Sequence, residues 1–352
     1  MGIFEKKTIL ITGGTGSLGK VLTRRILSGE EGKPKKVIIF SRDEAKQHYM
    51  RVEYEVRKSP TDEVIYNNFK RILEFRIGDV RDFQSVKSAI DGVDIIINAA
   101  ALKQVPSCEY FPWEAARTNV LGAENIVRAI KNSHHKIETV VGVSTDKACK
   151  PVNVMGMTKS LQERVFVAGN ITIPKTRFIL VRYGNVLASR GSVIPFFHEQ
   201  IANGGPVTIT TKDMTRFLLP LDKAVDIIIA AIKHAKRGET FIPIVPASKI
   251  INIAKALVGT RDIEIKITGI RPGEKIDEIL ISEEEAFRTR KKGKYYAIAP
   301  LLPELAGPLP KPALTKEYSS GDEVMTLEQT RDLLNKYKLM IGQTKMSGEF
   351  LK

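Results

Sequence analysis

The chain has 352 residues, 43% of them hydrophobic, and a formal charge of +15, a length that buries one large core or two modest ones. The positive charge is scattered, dense only at Lys33, Lys35 and Lys36 and from Arg288 to Lys294. No finger, basic zipper or ribonucleoprotein aromatic motif accompanies it, which excludes nucleic acid as the expected partner.

Before Thr8 there is no signal-peptide core, and no apolar run reaches the length of a membrane span, so the expected location is the cytoplasm. The first apolar run, Thr8 to Thr12, reads as a strand. The turn after it, Thr12-Gly-Gly-Thr-Gly-Ser-Leu-Gly19, opens a helical spacing from Leu18 to Leu27. Small residues in such a turn let backbone N–H groups meet a pyrophosphate at the positive end of a helix. Thr12, Gly13, Thr15, Gly16, Ser17, Leu18 and Gly19 are therefore candidate cofactor contacts.

The second run, Lys36 to Phe40, ends in Ser41-Arg42-Asp43-Glu44. A carboxylate directly at this strand end would accept from the ribose hydroxyls of NAD. Ser41 and Arg42 instead offer a donor and a cation to a 2′-phosphate, which favours NADP over NAD. Asp43 and Glu44 also suit the first turn of a helix, with Arg42 merely solvated.

Further apolar runs at Ile72 to Ile77, Val93 to Asn98, Thr139 to Ser144 and Arg177 to Val181 alternate with helical stretches such as Glu114 to Ile130. Strands this uniformly apolar are expected to be buried on both faces and joined by right-handed crossovers. The fold class is α/β, a Rossmann-type doubly wound parallel sheet with a smaller C-terminal substrate-binding lobe. Residues 1–181 are expected to form the cofactor domain, with a contribution from about 221–245, and 182–352 mainly the lobe. There Gly191, Pro195, Gly204-Gly205-Pro206, Pro220, Pro243, Pro246 and Pro272-Gly273 interrupt shorter elements. Cys108 and Cys149 lie outside any CxxC or metal-ligand spacing, reading as small buried hydrophobes in a reducing compartment, with no metal expected.

The third strand ends in Gly78-Asp79-Val80 and the fourth in Asn98-Ala-Ala-Ala101. With the glycine spacing, these ends resemble the extended short-chain dehydrogenase/reductase superfamily. The resemblance puts Asp79, Val80, Ala99, Ala100, Ala101 and Asn119 against the cofactor.

The run from Thr139 leads to Ser144-Thr145-Asp146-Lys147, and a helix begun near Val154 carries Met155 and, four residues on, Lys159. In that superfamily a tyrosine and a lysine at this spacing share one helix face, the lysine holding the nicotinamide ribose and lowering the hydroxyl pKa. Met155 carries no proton. Thr145, Asp146 and Lys147 place a hydroxyl, a proton donor and a proton acceptor at the strand end. Removing water from a sugar needs a base for a carbon-bound proton and an acid for the departing hydroxyl. An adjacent aspartate and lysine also fit an ordinary surface pair.

The string from Val143 to Lys159 is similar to the UDP-N-acetylglucosamine 4,6-dehydratases of surface-glycan pathways, short soluble type. Further matches are Ala101-Leu-Lys-Gln-Val-Pro106, Arg182-Tyr-Gly-Asn-Val186, Ser189-Arg-Gly-Ser-Val-Ile-Pro195, Asp213-Met-Thr-Arg-Phe217 and Gly269-Ile-Arg-Pro-Gly-Glu-Lys275. The likeness runs from Thr8 to about Glu285, and the family includes members with methionine at the position of Met155. It implies NADP-dependent formation of a UDP-4-keto-6-deoxy-N-acetylhexosamine. C4 is oxidised, a neutral Lys147 takes the C5 proton, a protonated Asp146 gives its proton to the C6 hydroxyl, and hydride returns to C6. Lys159 and the oxidised nicotinamide would keep Lys147 neutral. Thr145 would position or relay the C4 hydroxyl proton, with Lys147, Lys159 or water sharing the task because an unassisted threonine is a poor base.

The same resemblance puts Arg216 and Arg271 on the substrate diphosphate, where guanidinium forks suit phosphate. It puts Glu274 on the uridine ribose, Asn185 on the diphosphate or sugar, and Lys103 on a loop over the sugar. It implies a homo-oligomer, with Glu114 to Ile130 and Met155 to Val167 as contacting faces. Dehydration with inversion at C5 and a cofactor sensor of the same fold are the open alternatives. A UDP-hexosamine 4-epimerase should carry the tyrosine and has no need of Asp146 and Lys147.

Overall fold

The computed structural model describes residues 2–55, 68–187, 192–308 and 311–343; Ser189, Arg190 and Gly191 of the Ser-Arg-Gly motif lie outside them. The N-terminal half runs β1 (Thr8–Thr12), α1 (Ser17–Leu27), β2 (Lys36–Ser41), α2 (Glu44–Glu55), β3 (Leu73–Ile77), α3 (Phe83–Ala89) and β4 (Ile95–Asn98). It continues with α4 (Val105–Tyr110), α5 (Pro112–Ala116), a π-helical turn (Arg117–Leu121), α6 (Gly122–Lys131), β5 (Thr139–Thr145), a 3-10 turn (Asp146–Ala148), α7 (Val154–Thr172) and β6 (Arg177–Tyr183). Next come α8 (Val193–Ala202), β7 (Val207–Ile209), β8 (Thr215–Phe217), α9 (Leu221–His234), β9 (Thr240–Pro243), β10 (Ala247–Lys249), α10 (Ile250–Val258) and β11 (Ile265–Ile267). The chain closes with β12 (Ile279–Ile281), α11 (Glu283–Ala286), β13 (Thr289–Lys292), β14 (Tyr295–Ile298), α12 (Pro303–Ala306), β15 (Tyr318–Ser319), β16 (Val324–Met325) and α13 (Leu327–Lys336).

The central sheet has nine strands in the order β13-β14-β9-β6-β5-β4-β1-β2-β3. From β3 to β9 every pairing is parallel, and the last two strands are antiparallel. Successive side chains on a strand face opposite sides. Ile9, Ile11, Val37 and Ile39 thus enter one core with Leu22 and Ile26 of α1 and Ile228 of α9. Leu10, Ile38 and Phe40 enter the other with Val86 of α3, Ile126 of α6 and Phe166 of α7. Each fully buried aliphatic side chain contributes about 1.5–3 kcal/mol, which fixes the register of every inner strand.

Three sequence expectations are modified. β3 is half-buried because it is the outer edge of the sheet, with no strand beyond it among the described residues. The stretch Glu114 to Ile130 is interrupted by the π-helical turn, an extra residue inserted where the Asn119 side chain turns inward. The β13–β14 hairpin extends the main sheet from far along the chain; its Thr-Arg-Lys-Lys strand carries no apolar signal.

Of the smaller sheets, β16-β10-β8 and β11-β7 border a third core in which α8, α10 and α13 meet, and β12-β15 packs in a fourth with Phe217, Ile242 and Ile298. Part of the segment after Tyr318 thereby joins the C-terminal half. Both cysteines are buried and free. Among the described residues, no helix is long and apolar enough to cross a membrane.

Candidate active site

Strand order reverses between β1 and β4, and the crevice beyond the carboxyl ends of such strands is where this fold takes its ligands. Gly13 adopts φ 65° and its N–H donates to Phe40 O at 2.8 Å. A Cβ there would lie 2.8 Å from the Ala100 backbone, and one on Gly19 would lie 2.3 Å from Gly14 O. Gly16 caps α1 without a side chain, so the first-turn N–H groups face the crevice mouth. A cradle this close to backbone fits a dinucleotide pyrophosphate.

Around it, Thr12 Oγ1 donates to Asn98 Oδ1 at 2.6 Å and accepts from Ala100 N at 3.3 Å, while Ala99 N donates to Thr12 O at 3.2 Å. These bonds tie the ends of β1 and β4 together. Thr15 Oγ1 reaches Ser41 Oγ at 3.3 Å, and Gln47 Nε2 donates to Ser41 O at 3.0 Å. Ser41 is buried, whereas Arg42 is exposed at the end of β2. Burial pushes the Asp79 carboxyl up, but hydrogen bonds from Arg81 outweigh it and hold it below the usual range. Asn125 Nδ2 donates to Val80 O at 2.9 Å, fixing that strand end. Asn119 accepts from Leu102 N at 2.9 Å and donates to Leu102 O and Thr158 Oγ1, each at 3.0 Å. It pins the loop carrying Ala101 and Lys103 to α7. Lys103 itself is exposed.

β5 delivers Thr145, Asp146 and Lys147 into the 3-10 turn. Asp146 is fully buried, and Thr145 Oγ1 donates to its Oδ1 at 2.8 Å. Lys147 Nζ lies 3.1 Å from Asp146 Oδ1 and 3.0 Å from Glu278 Oε1. Arg216 Nε is 3.7 Å from the same Glu278 oxygen. Asp146 Oδ2 and Glu278 Oε2 are buried and have no hydrogen-bond partner among the described residues. Gly184 makes room beside the first of these, since a Cβ there would sit 3.1 Å from Asp146 Oδ2.

The two carboxyls are driven apart. Burial raises the Asp146 pKa, and the negative charge of Glu278 adds to it against the pull of Lys147. Burial also disfavours ionised Glu278, but Lys147 and Arg216 hold its pKa below the usual range. Burial pulls the Lys147 pKa down, yet Asp146 and Glu278 outweigh it and hold the ammonium above its ordinary value. Asp146 first and Glu278 second thus favour the charged form of Lys147, Glu278 being contributed 131 residues later in the chain. Sequence reasoning missed Glu278. It lies three residues beyond the end of the Gly269 to Lys275 motif, but nothing local marks a carboxylate before a strand as buried.

Met155 is buried with Cys108 and Ala115, in contact with Leu102, Val105 and Val154, a purely apolar setting. One turn on, Lys159 Nζ donates to Val143 O at 2.6 Å and Gln162 Oε1 at 2.7 Å, and burial lowers its pKa to about 8.

Beneath the turn, Arg182 uses all five N–H donors. It binds both oxygens of Glu163, both of Glu285, and Leu280 O, at 2.7 to 3.1 Å. Ser144 Oγ joins through Glu163 at 2.5 Å.

Arg216 also lines a cavity of about 540 Å³, whose lining includes none of Thr145, Asp146 and Lys147. Asn185, Arg216, Arg271 and Glu274, four of the five expected substrate residues, line it together; Lys103 does not. Asn185 Oδ1 and Ser192 Oγ are buried in its wall without a partner among the described residues. Ser192 was not anticipated as a contact. Glu274 Oε2 accepts from Thr210 Oγ1 at 3.4 Å, and Arg271 is exposed at the rim. Arg216 spends its Nη donors on Thr215 O, Ile276 O and Lys275 O at 2.7 to 3.0 Å. Its fork thus buckles β8 to the loop before Glu278.

The sheet order, glycine cradle and strand-end site define a Rossmann-type protein of the extended short-chain dehydrogenase/reductase architecture. Within it, the chain belongs to the polysaccharide biosynthesis protein family, whose sequence profile matches residues 9–300. A relative from Rickettsia prowazekii named UDP-glucose 4-epimerase is 45% identical over 302 residues, 84% of each chain. The X-ray structure of Pen from Bacillus thuringiensis superposes with a TM-score of 0.84 at 32% identity, covering 96% of this chain and 99% of that one. DesIV, a dTDP-glucose 4,6-dehydratase from Streptomyces venezuelae crystallised with NAD, shares the fold at a TM-score of 0.64 and 19% identity, over 76% of this chain and 86% of that one.

Proposed function

We propose that the protein dehydrates UDP-N-acetylglucosamine across C5 and C6 to a UDP-4-keto-6-deoxy-N-acetylhexosamine, with NADP as its redox partner. The observation that carries this reading is the pair of fully buried Asp146 and half-buried Lys147, 3.1 Å apart, with a carboxyl oxygen left unpartnered at the strand end. In this reading residues 1–181 with about 221–245 hold the cofactor, and 182–352 mainly hold the sugar nucleotide.

The bound nicotinamide would supply reversible hydride acceptance at C4 and return to C6. The chain supplies the proton chemistry. A charged Lys147 beside ionised Asp146 holds as many protons as a neutral Lys147 beside protonated Asp146. Transfer along their hydrogen bond therefore arms both groups without uptake from solvent. Lys147 Nζ then takes the C5 proton made acidic by the C4 ketone. The C5–H electrons form the C5–C6 double bond, and the C6–O bond breaks as Asp146 protonates the departing oxygen to water. Thr145 donates to Asp146 and would orient the C4 hydroxyl, and Lys159 would hold the nicotinamide ribose. Asn185, Ser192, Arg271 and Glu274 would hold the nucleotide in the cavity, with Arg216 bracing its wall.

NADP is favoured by Ser41 and exposed Arg42 at the end of β2. Arg42→Ala is expected to weaken NADP binding about tenfold, the worth of one charge-assisted contact, and to leave NAD binding nearly unchanged. Calorimetric titration of cofactor-stripped protein with each dinucleotide checks this; equal effects on both would remove the argument for NADP.

A second reading, 4-epimerisation, is favoured by the names of the relatives near 45% identity. Epimerisation moves hydride at one carbon and needs no acid for a leaving group. Mass spectrometry of the product separates the two: dehydration removes one water, whereas an epimer keeps the substrate mass. Unchanged mass with a changed C4 configuration would replace the proposal with the second reading.

Self-association is supported by a surface on α4, α5 and α7 where Tyr110 is 83%, Trp113 72% and Met157 52% exposed, with Phe111 and Leu161 alongside. Aromatic patches of this kind on one face are typical of interfaces. Sedimentation should give a multiple of the 39.2 kDa chain, reduced by Trp113→Lys with Leu161→Lys; a wild-type monomer would refute the interface.

A further inference from the structure

The geometry points to Glu278 as the residue that sets the proton occupancy of the Asp146–Lys147 pair, a positioning residue reaching the strand end from the C-terminal half. Its catalytic consequence rests on the dehydratase reading, but the charge cluster itself does not.

Glu278 is 2% exposed, and its backbone is fixed independently of its side chain: its N–H donates to Ser320 Oγ at 2.9 Å and its C=O accepts from Ser320 N at 2.8 Å. One carboxyl oxygen is 3.0 Å from Lys147 and 3.7 Å from Arg216; the other has no partner among the described residues. A buried ion pair kept for stability has its oxygens satisfied. The Arg182 cluster in this same protein does so, with both oxygens of Glu163 and both of Glu285 bonded. The Glu278 carboxylate is left half-satisfied, next to an equally half-satisfied Asp146.

The charged groups facing this point are Asp146 and Lys147 on the 3-10 turn, Arg216 on β8, and Lys275 on the loop before β12, whose Nζ is bonded to Cys149 O at 2.7 Å. Glu278 is thus a fixed negative charge beside a pair that shares one proton. A negative neighbour favours the protonated form of either member. Without it, each step in which the pair gains or loses a proton moves to lower pH, whichever group carries the proton.

The test is carbon NMR of the cofactor-bound protein labelled with ¹³C at aspartate carboxyls and lysine Cε, with Asp146 and Lys147 assigned through Asp146→Asn and Lys147→Arg. Glu278→Gln, the isosteric neutral change, should lower the titration midpoints of the pair by about one pH unit or more. Glu278→Asp, which keeps the charge but withdraws it by one methylene, should give a smaller downward shift, and it stands in should the glutamine variant lose its cofactor. Midpoints unmoved in folded, cofactor-retaining Glu278→Gln would overturn the inference. In parallel, the pH profile of kcat on UDP-N-acetylglucosamine should move bodily to lower pH in Glu278→Gln with KM little changed. A wild type inactive on that sugar would refute the dehydratase reading, and the NMR titration would still decide the role of Glu278.

Discussion

Asp146→Asn is expected to lower dehydration about 10²–10⁴-fold, the contribution of a positioned general acid, while leaving solvent exchange at C5 of the substrate in place. The substitution keeps the shape of a fully buried side chain that touches Thr145 at 2.8 Å and Lys147 at 3.1 Å, and it removes the transferable proton. It also removes a negative charge beside Lys147, which lowers that lysine's pKa and favours its neutral, basic form. The base step should therefore survive while the leaving hydroxyl goes unprotonated. UDP-N-acetylglucosamine recovered from D₂O should carry deuterium at C5 and no C6 methyl product should form. Loss of both exchange and dehydration in folded Asp146→Asn would mean that the acid and base are not divided between these two residues. Retention of full activity would remove Asp146 from the chemistry.

Arg182→Met is expected to destabilise the fold by about 3–5 kcal/mol, because it strands two buried carboxylates, Glu163 and Glu285, without their shared cation. Arg182 joins β6 to α7 and α11, so the loss falls on the floor of the site. Adding Glu163→Gln and Glu285→Gln should recover a large part, since neutral partners need no counter-charge. The sign with pH follows from Glu285, whose carboxyl is held at about 2 by Arg182 against the cost of burial. A depressed carboxyl gives stability that is present above its unfolded pKa and is lost as pH falls toward about 2. The wild type should lose this increment in acid, and the deficit of Arg182→Met should shrink as protonation relieves its stranded carboxylates. Urea denaturation from neutral pH down through the carboxyl range toward pH about 2 measures both. A deficit below about 1 kcal/mol at neutral pH would show that the cluster relaxes or admits solvent.

The parallel sheet was legible because its inner strands are apolar on both faces, and the crevice because Gly13 and Gly16 stand between a strand and a helix, with Gly19 in that helix's first turn. Asn185, Arg216, Arg271 and Glu274, which their motifs led one to expect together, line one cavity. What was not legible depends on contacts between distant residues. Glu278 is an unremarkable acid in sequence, and only the fold brings it 3.0 Å from Lys147, where its charge adds to that of Asp146 in favouring the ammonium. Arg182 belonged to a recognised string, yet its five bonds to Glu163, Glu285 and Leu280 are set by tertiary packing. Arg216 was expected to fork a diphosphate, and three backbone carbonyls occupy its Nη donors. The β13 strand Thr-Arg-Lys-Lys escaped notice because an edge strand needs no apolar alternation.

Proton NMR of the purified protein with UDP-N-acetylglucosamine and NADP⁺ in D₂O tests the central claim most directly. The account predicts a new C6 methyl signal with deuterium at C5, and the coupling at C5 reports retention or inversion. With cofactor bound and the fold intact, a spectrum without that methyl signal would contradict it. In that case interconversion of UDP-glucose and UDP-galactose would favour the epimerase, and no turnover of any sugar would favour a sensor.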